Sequence, residues 1–258
     1  MGSGYAVDGA GAQSERTWAR LRSRISTWAL VVAASSLALA AAAAALGGLW
    51  LATSGTRSSS YPFSGPLLRV EIDVGKGDVQ ILGGGRSDVH VRKTERFAYG
   101  HSPRERLNLE GGVLKIGSQC ASLIVGTCSA DYELAVPDNV ALTIRTTDGD
   151  VRLDGYRGSV DVATTRGRIA INRFCGFLLQ ATAGRGDIEV DTECASERLD
   201  LRSDSGDVTA AVPRGRYRID ADTNGGRVVL RGVVAADDAL WEIQALSGSG
   251  DVTIVARS

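Results

Sequence analysis

Proline, methionine, histidine and lysine are all scarce: 258 residues hold 5 Pro, 1 Met, 2 His and 3 Lys. The two histidines, His90 on a predicted strand and His101 in a loop, stand apart from the regular part of the chain, which leaves no basis for a histidine-centred active site. Excess charge is lacking too. A formal net charge of −1 excludes a broad polyphosphate-binding surface, so no nucleic acid partner is expected. There is no CxxC pair, nucleophile-elbow serine, zincin helix or phosphate-binding glycine loop, and hence no catalytic residue, metal site or cofactor to predict. What the chain has is glycine, 32 residues of it, with 43% apolar and 23% charged residues. That balance excludes a disordered tail and a polytopic membrane protein, and points to a turn-rich β protein.

One long uncharged stretch runs from Ile25 to Thr56 and contains an Ala/Leu-dominated run from Trp28 to Thr53. It meets the ~20 residues a helix needs to cross ~30 Å of hydrocarbon, and Trp28 and Trp50 stand near its ends, where indoles favour the headgroup layer. Arg16, Arg20, Arg22 and Arg24 precede it, opposed only by Asp8 and Glu15. The positive-inside bias puts that side in the cytoplasm and the rest outside. A cleaved signal peptide is the competing reading, but its apolar core spans only ~7–15 residues. The expected organisation is a cytoplasmic tail over 1–24, a transmembrane helix over 25–53, a flexible Ser/Gly/Pro stalk over 54–66 and one extracytoplasmic β domain over 67–258. Membrane lipid is then the first partner.

Seven turns align on Gly77, Gly149, Gly167, Gly186, Gly206, Gly226 and Gly250, spaced 18, 19, 20, 20 and 24 residues apart from the second onward. A period near 20 signals a repeat architecture. The positions seven and five before each glycine, and two and four after it, are apolar in all seven turns, from Val70, Ile72, Val79 and Ile81 to Ile243, Ala245, Val252 and Ile254. Within each flank they alternate with polar residues, as in Leu199-Asp200-Leu201-Arg202, the period of a half-buried strand. The inward parity reverses across the glycine, as at a corner that only glycine tolerates well. Each repeat is strand, glycine turn, strand, loop. The expected fold is all-β, a β-solenoid-like stack with coils ~4.8 Å apart; a twisted sandwich of hairpins is the alternative. Residues 83–140 fit poorly, and Leu107–Ile116 resembles a degenerate repeat.

The segment Asp131–Val151, DYELAVPDNVALTIRTTDGDV, and the SGDV turns at Ser205–Val208 and Ser249–Val252 resemble the bacterial putative-adhesin domain family. The resemblance covers roughly residues 67–258. It implies an all-β repeat domain of unknown function, carried outside the membrane behind an N-terminal helix, and brings no catalytic residues.

Cys120, Cys128, Cys175 and Cys194 all fall in the predicted outer domain, where an even count favours disulfides. Cys175 and Cys194 each lie eight residues after a repeat glycine. Stacked coils place such positions ~5 Å apart, within disulfide reach, so Cys175 pairs with Cys194 and Cys120 with Cys128. Zinc is the rival reading, without supporting spacing.

After each glycine comes a charged residue: Asp78, Asp150, Arg168, Asp187, Asp207, Arg227 and Asp251. Stacking makes these a ladder in which carboxylates accept hydrogen bonds from turn N–H groups. Calcium between Asp turns is the functional alternative, opposed by the interposed arginines, with Arg227 expected between Asp207 and Asp251. Arg185-Gly186-Asp187 spells an integrin-type tripeptide, but its register makes it one more Gly-Asp turn. Tyr156 and Phe174, each seven residues after a glycine, either form an exposed binding rim or cover the end of the core. Taken together, the residues suggest a membrane-anchored, adhesin-like envelope protein, non-catalytic, binding or scaffolding an unknown envelope polymer or protein. A self-assembling structural solenoid and a carbohydrate-active β-helix enzyme are the alternatives.

Overall fold

The structure, a computed structural model, describes residues 12–84, 88–98, 101–121 and 127–257. It has one helix, α1 (Ala12–Thr53), and twenty strands: β1 (Gly55–Phe63), β2 (Arg69–Lys76), β3 (Val79–Gly83), β4 (Val89–Phe97), β5 (Arg104–Glu110), β6 (Val113–Gln119), β7 (Cys128–Val136), β8 (Ala141–Asp148), β9 (Val151–Asp154), β10 (Val160–Arg166), β11 (Ile169–Phe174), β12 (Leu178–Arg185), β13 (Ile188–Thr192), β14 (Arg198–Ser205), β15 (Val208–Val212), β16 (Arg216–Thr223), β17 (Val228–Arg231), β18 (Val234–Ala235), β19 (Trp241–Ser247) and β20 (Val252–Ala256). The helix forms one unit and the chain from Ser54 onward the other.

In α1, the 22 residues Trp28–Leu49 are long and apolar enough to cross a membrane. The helix begins at Ala12, well before the expected boundary at residue 25. Nothing between Gln13 and Ile25 breaks a helix, and Arg, Ala, Leu and Glu all favour one.

The β unit is a solenoid-like stack. Each coil gives one strand to each of two ten-stranded sheets. The first sheet runs β1-β4-β7-β3-β9-β11-β13-β15-β20-β17, the second β18-β16-β19-β14-β12-β10-β8-β2-β6-β5. Pairing within the stack is parallel and in repeat register, for example Val160↔Leu179 and Ile188↔Val208, with one shift between Ile171 and Phe174 in the β11–β13 pair. The inward positions of both flanks form one continuous core, with Val70, Ile72, Val79, Ile81, Leu142, Ile144, Leu199, Leu201, Val208 and Val252 all at most 2% exposed. At about 1.5–3 kcal/mol for each fully buried aliphatic side chain, this core is the main source of stability.

Stacking order departs from chain order at both ends. The coil β6–β7 lies outside the coil β2–β3 that precedes it in sequence. The last coil, β19–β20, lies between β14–β15 and β16–β17. Asp251 therefore stands between Asp207 and Arg227, not beyond them; sequential stacking is the assumption that fails. Both chain ends of the stack are thus held between two neighbouring coils and protected from fraying.

Two further expectations are corrected. Residues 54–66 are not simply a stalk, because β1 pairs antiparallel with β4 over nine residues, from Gly55↔Phe97 to Phe63↔Val89. Its serines and Pro62 are residues that a sheet edge tolerates, and its alternation is carried only by the half-buried Ser59, Tyr61 and Phe63. Leu107–Ile116 is an antiparallel hairpin of β5 and β6 turning at Gly111 and Gly112, with φ of 58° and 77°. The degenerate coil is β6–β7 instead.

Candidate functional site

Glycine at the corner is enforced by the coil beside it. Gly77, Gly167, Gly186, Gly206 and Gly250 have φ between 136° and 152°, and a Cβ on Gly186 would overlap the carbonyl of Gly167. The same overlap recurs from Gly149 onto Gly77, Gly167 onto Gly149, Gly206 onto Gly186, Gly250 onto Gly206 and Gly226 onto Gly250. Small hydroxyl residues three before the glycine then bind the neighbouring glycine carbonyl. Thr164 donates to Gly149 O at 3.2 Å, Ser203 to Gly186 O at 2.9 Å, Ser247 to Gly206 O at 2.9 Å and Thr223 to Gly250 O at 2.7 Å. Ala183 has no hydroxyl for this, and the buried Thr146 hydroxyl has no partner among the described residues.

The charged residues after the glycines form a polar ladder. Asp131 Oδ1 accepts from the Asp78 N–H at 3.1 Å, Asp78 from Asp150 at 2.9 Å, and Asp150 from Arg168 at 2.9 Å. Asp187 accepts from Asp207 at 3.0 Å, Asp207 from Asp251 at 2.8 Å, and Asp251 from Arg227 at 2.9 Å. The run of carboxylates is interrupted at Arg168, whose guanidinium lies 3.9 Å from Asp187. Repulsion between neighbours is relieved by Arg96 on Asp131 and Arg152 on Asp150. The backbone and side-chain bonds from Arg227 hold the Asp251 carboxyl below its ordinary range. Asp187 of the Arg-Gly-Asp tripeptide belongs to this ladder. No group of three or more His, Cys, Asp or Glu among the described residues is arranged to hold a metal ion. The ladder is structural in its bonding.

Cys120 is joined to Cys128 with Cα atoms 6.0 Å apart, and Cys175 to Cys194 at 5.0 Å. The second link ties adjacent coils just beyond β11 and β13. Tyr156 and Phe174, by contrast, form no binding rim: both are 0% exposed. Tyr156 donates to the Val140 carbonyl. Gly158 and Gly176 leave room for the two rings, which close the loop end of the core.

Away from the ladder, a groove of about 870 Å³ crosses the outer face of the second sheet at its β5–β6–β2–β8 end. One cross-strand row explains it: Arg106 faces Gly117, Gly117 faces Asp73, and Asp73 faces Arg145. Gly117 supplies no side chain, so the row has a gap. Lys115 pairs with Glu71 at 3.3 Å and Arg145 with Asp161 at 3.2 Å. Arg104 and Arg106 are exposed and have no carboxylate partner among the described residues.

At the capped end, a largely buried polar cluster joins the cap strands to the stack. Lys93 Nζ lies 2.7 Å from Glu95 and 2.6 Å from Glu105. Glu105 also accepts from the Tyr61 hydroxyl at 2.5 Å and the Tyr132 hydroxyl at 3.3 Å. Burial alone would lower the Lys93 pKa, but its hydrogen bonds to Glu105 and Glu95 hold it above the ordinary value. Burial, then Glu105, pushes both tyrosines up.

Sequence reasoning missed Asp131, the groove and this cluster. Ala130-Asp131-Tyr132-Glu133-Leu134 does follow the Gly-Asp-Val-x-Ile template, with Ala130 against the Gly77 corner. Arg104 and Arg106 carry a two-residue alternation. The cluster has no local signal, because its members come from β1, β4, β5 and β7.

These features define a parallel two-sheet β-solenoid-like domain with an antiparallel cap and a polar groove. The profile of the Toastrack DUF4097 family matches residues 106–254, and the chain belongs to that family. Among solved structures, a putative cell adhesion protein of Clostridium sporogenes is similar at 10% identity and a TM-score of 0.49, covering 79% of this chain and 100% of its own. A putative adhesin of Bacteroides fragilis is 13% identical with a TM-score of 0.46, over 79% and 97%. A putative lipid binding protein of Parabacteroides distasonis is 11% identical with a TM-score of 0.33, over 78% and 97%. No curated protein matches the chain.

Proposed function

We propose that the chain is a membrane-anchored, non-catalytic binding protein of the cell envelope, adhesin-like in type. The observation that carries this reading is a groove lined mainly by charged and polar residues on the outer face of the stack, in a chain that also has a membrane-length apolar helix. The arginines at 16, 20, 22 and 24 support a cytoplasmic N-terminus with the β unit outside. Neither histidine lines the groove, and of its three acids Glu71 and Glu105 are engaged by lysines, which leaves Asp73 without a second free carboxylate or a histidine beside it among the described residues and supports binding over catalysis. The test is retention of isolated envelope material by the full chain in nanodiscs of zwitterionic lipid. Retention above that of empty nanodiscs is expected; none would reject the reading.

A second reading, end-to-end self-assembly, is favoured by one observation. At the outermost coil, Val228 and Leu230 occupy inward repeat positions yet are 41% and 43% exposed, and Val234, Leu240 and Trp241 are exposed beside them. An open strand edge with apolar side chains is a template for pairing. Concentration-dependent growth in sedimentation velocity, abolished by Val228→Lys, would support it.

A further inference from the structure

We propose that the groove over Gly117 binds an acidic polysaccharide, with Arg104 and Arg106 as the anion-recognising residues. This rests on the envelope-binding reading above and names its ligand class.

Arg104 and Arg106 are two residues apart on β5, so both face outward, roughly 7 Å apart along the strand. Their register partners on β6, Gln119 and Gly117, leave one amide and one gap beside them. A guanidinium offers a planar fork of donors that matches carboxylate and phosphate oxygens. The other basic groups of the groove are occupied: Lys115 by Glu71 and Arg145 by Asp161. Among the described residues of the groove, only the β5 wall has cationic donors to spare.

The uncharged polar part of the lining narrows the ligand. Asn108, Gln119 and Thr143 are uncharged donors and acceptors of the kind that read hydroxyl groups. No aromatic side chain among the described residues lines the groove, so stacking on a neutral sugar face has no platform there. A polymer with many hydroxyls and a regular acidic group suits both sets of residues. The acid is either a carboxylate, as in a uronic acid chain, or a phosphodiester linking sugar or polyol units.

The floor is shaped for an occupant. A Cβ on Gly117 would meet nothing nearer than 3.7 Å, so close packing does not demand glycine here, and no positive φ requires it. The gap sits where the Arg106–Asp73–Arg145 row would otherwise close over. Asp73 carries the one groove carboxylate without an ion-pair partner among the described residues. It opposes an anion, which makes its removal informative.

The experiment uses the full chain in zwitterionic nanodiscs and titrates three probes by calorimetry: oligogalacturonate, a glycerol-phosphate oligomer and neutral dextran. Binding of one or both acidic probes and none of dextran is expected, and the two acidic arms identify the charged group. Arg106→Gln weakens binding about tenfold, the loss expected for one charged hydrogen bond. Arg104→Gln/Arg106→Gln abolishes it, Gly117→Phe blocks it with no change of charge, and Asp73→Asn strengthens it. Thermal melts confirm that the variants stay folded. Failure of both acidic probes, or binding indifferent to both the Arg pair and Gly117→Phe, overturns the proposal. If envelope material is still retained in that case, only the ligand class falls; if it is not, the envelope-binding reading falls with it.

Discussion

At Gly186 the backbone has φ of 142° and the Gly167 carbonyl occupies the place of a Cβ. Strain and overlap add, so Gly186→Ala costs roughly 3 kcal/mol or more, measurable by urea unfolding. The ladder residue beside the next corner behaves differently. Asp207 accepts from the Asp251 N–H, and an asparagine keeps that acceptor while relieving like-charge repulsion. Asp207→Ala therefore costs about 1 kcal/mol and Asp207→Asn less. Lys93 is 7% exposed between two glutamates. Lys93→Met leaves both acids facing each other and destabilises by about 3–5 kcal/mol. The same cluster sets the alkaline limit. Lys93, Tyr61 and Tyr132 all have raised pKa values, so their contribution is complete below the unfolded values near pH ~10 and is lost as pH rises through the folded ones. The melting midpoint is expected to fall above about pH 10, and less steeply in Tyr61→Phe. A midpoint unchanged to pH 12 would contradict this.

Among the elements, chain order and spatial order separate at both ends of the stack. The C-terminal strands β19 and β20 are internal, while β17 and β18 are edges. Hydrogen exchange should therefore find β19 as protected as β14, and β17 and β18 the fastest of the paired strands. Rapid exchange along β19 would refute the swapped order. The repeats themselves were legible, because a buried flank on a two-residue period leaves its mark at every coil from Val70 to Ile254. The swap was not: Gly226 and Gly250 obey the same template, and nothing local says which of two equivalent coils stacks first. The cap was illegible for a related reason. Residues Gly55–Phe63 gain their partner only by pairing with β4, some thirty residues further on, and a serine-rich edge strand looks like a linker until its neighbour is known. For the site, the corner residues and cysteine pairs could be read from register, whereas the groove depends on a missing side chain at Gly117 flanked by three other strands.

At the scale of the whole molecule, the proposed envelope-facing binder rests on an apolar helix, a disulfide-bearing parallel stack and a groove on the outer face of one sheet. Location and stacking register meet in the cysteines. Cys175 and Cys194 come together only if β11 and β13 are neighbours, and lasting disulfides are a mark of oxidising compartments, the side of the membrane proposed for the β unit. The most direct measurement is non-reducing peptide mass spectrometry on the full chain isolated from native membranes with thiols blocked at lysis. The account predicts Cys175–Cys194 and Cys120–Cys128 linked peptides and no blocked thiol at these four positions. Four blocked thiols would place the β unit on the reducing side, and a Cys120–Cys175 or Cys128–Cys194 peptide would contradict the stack itself.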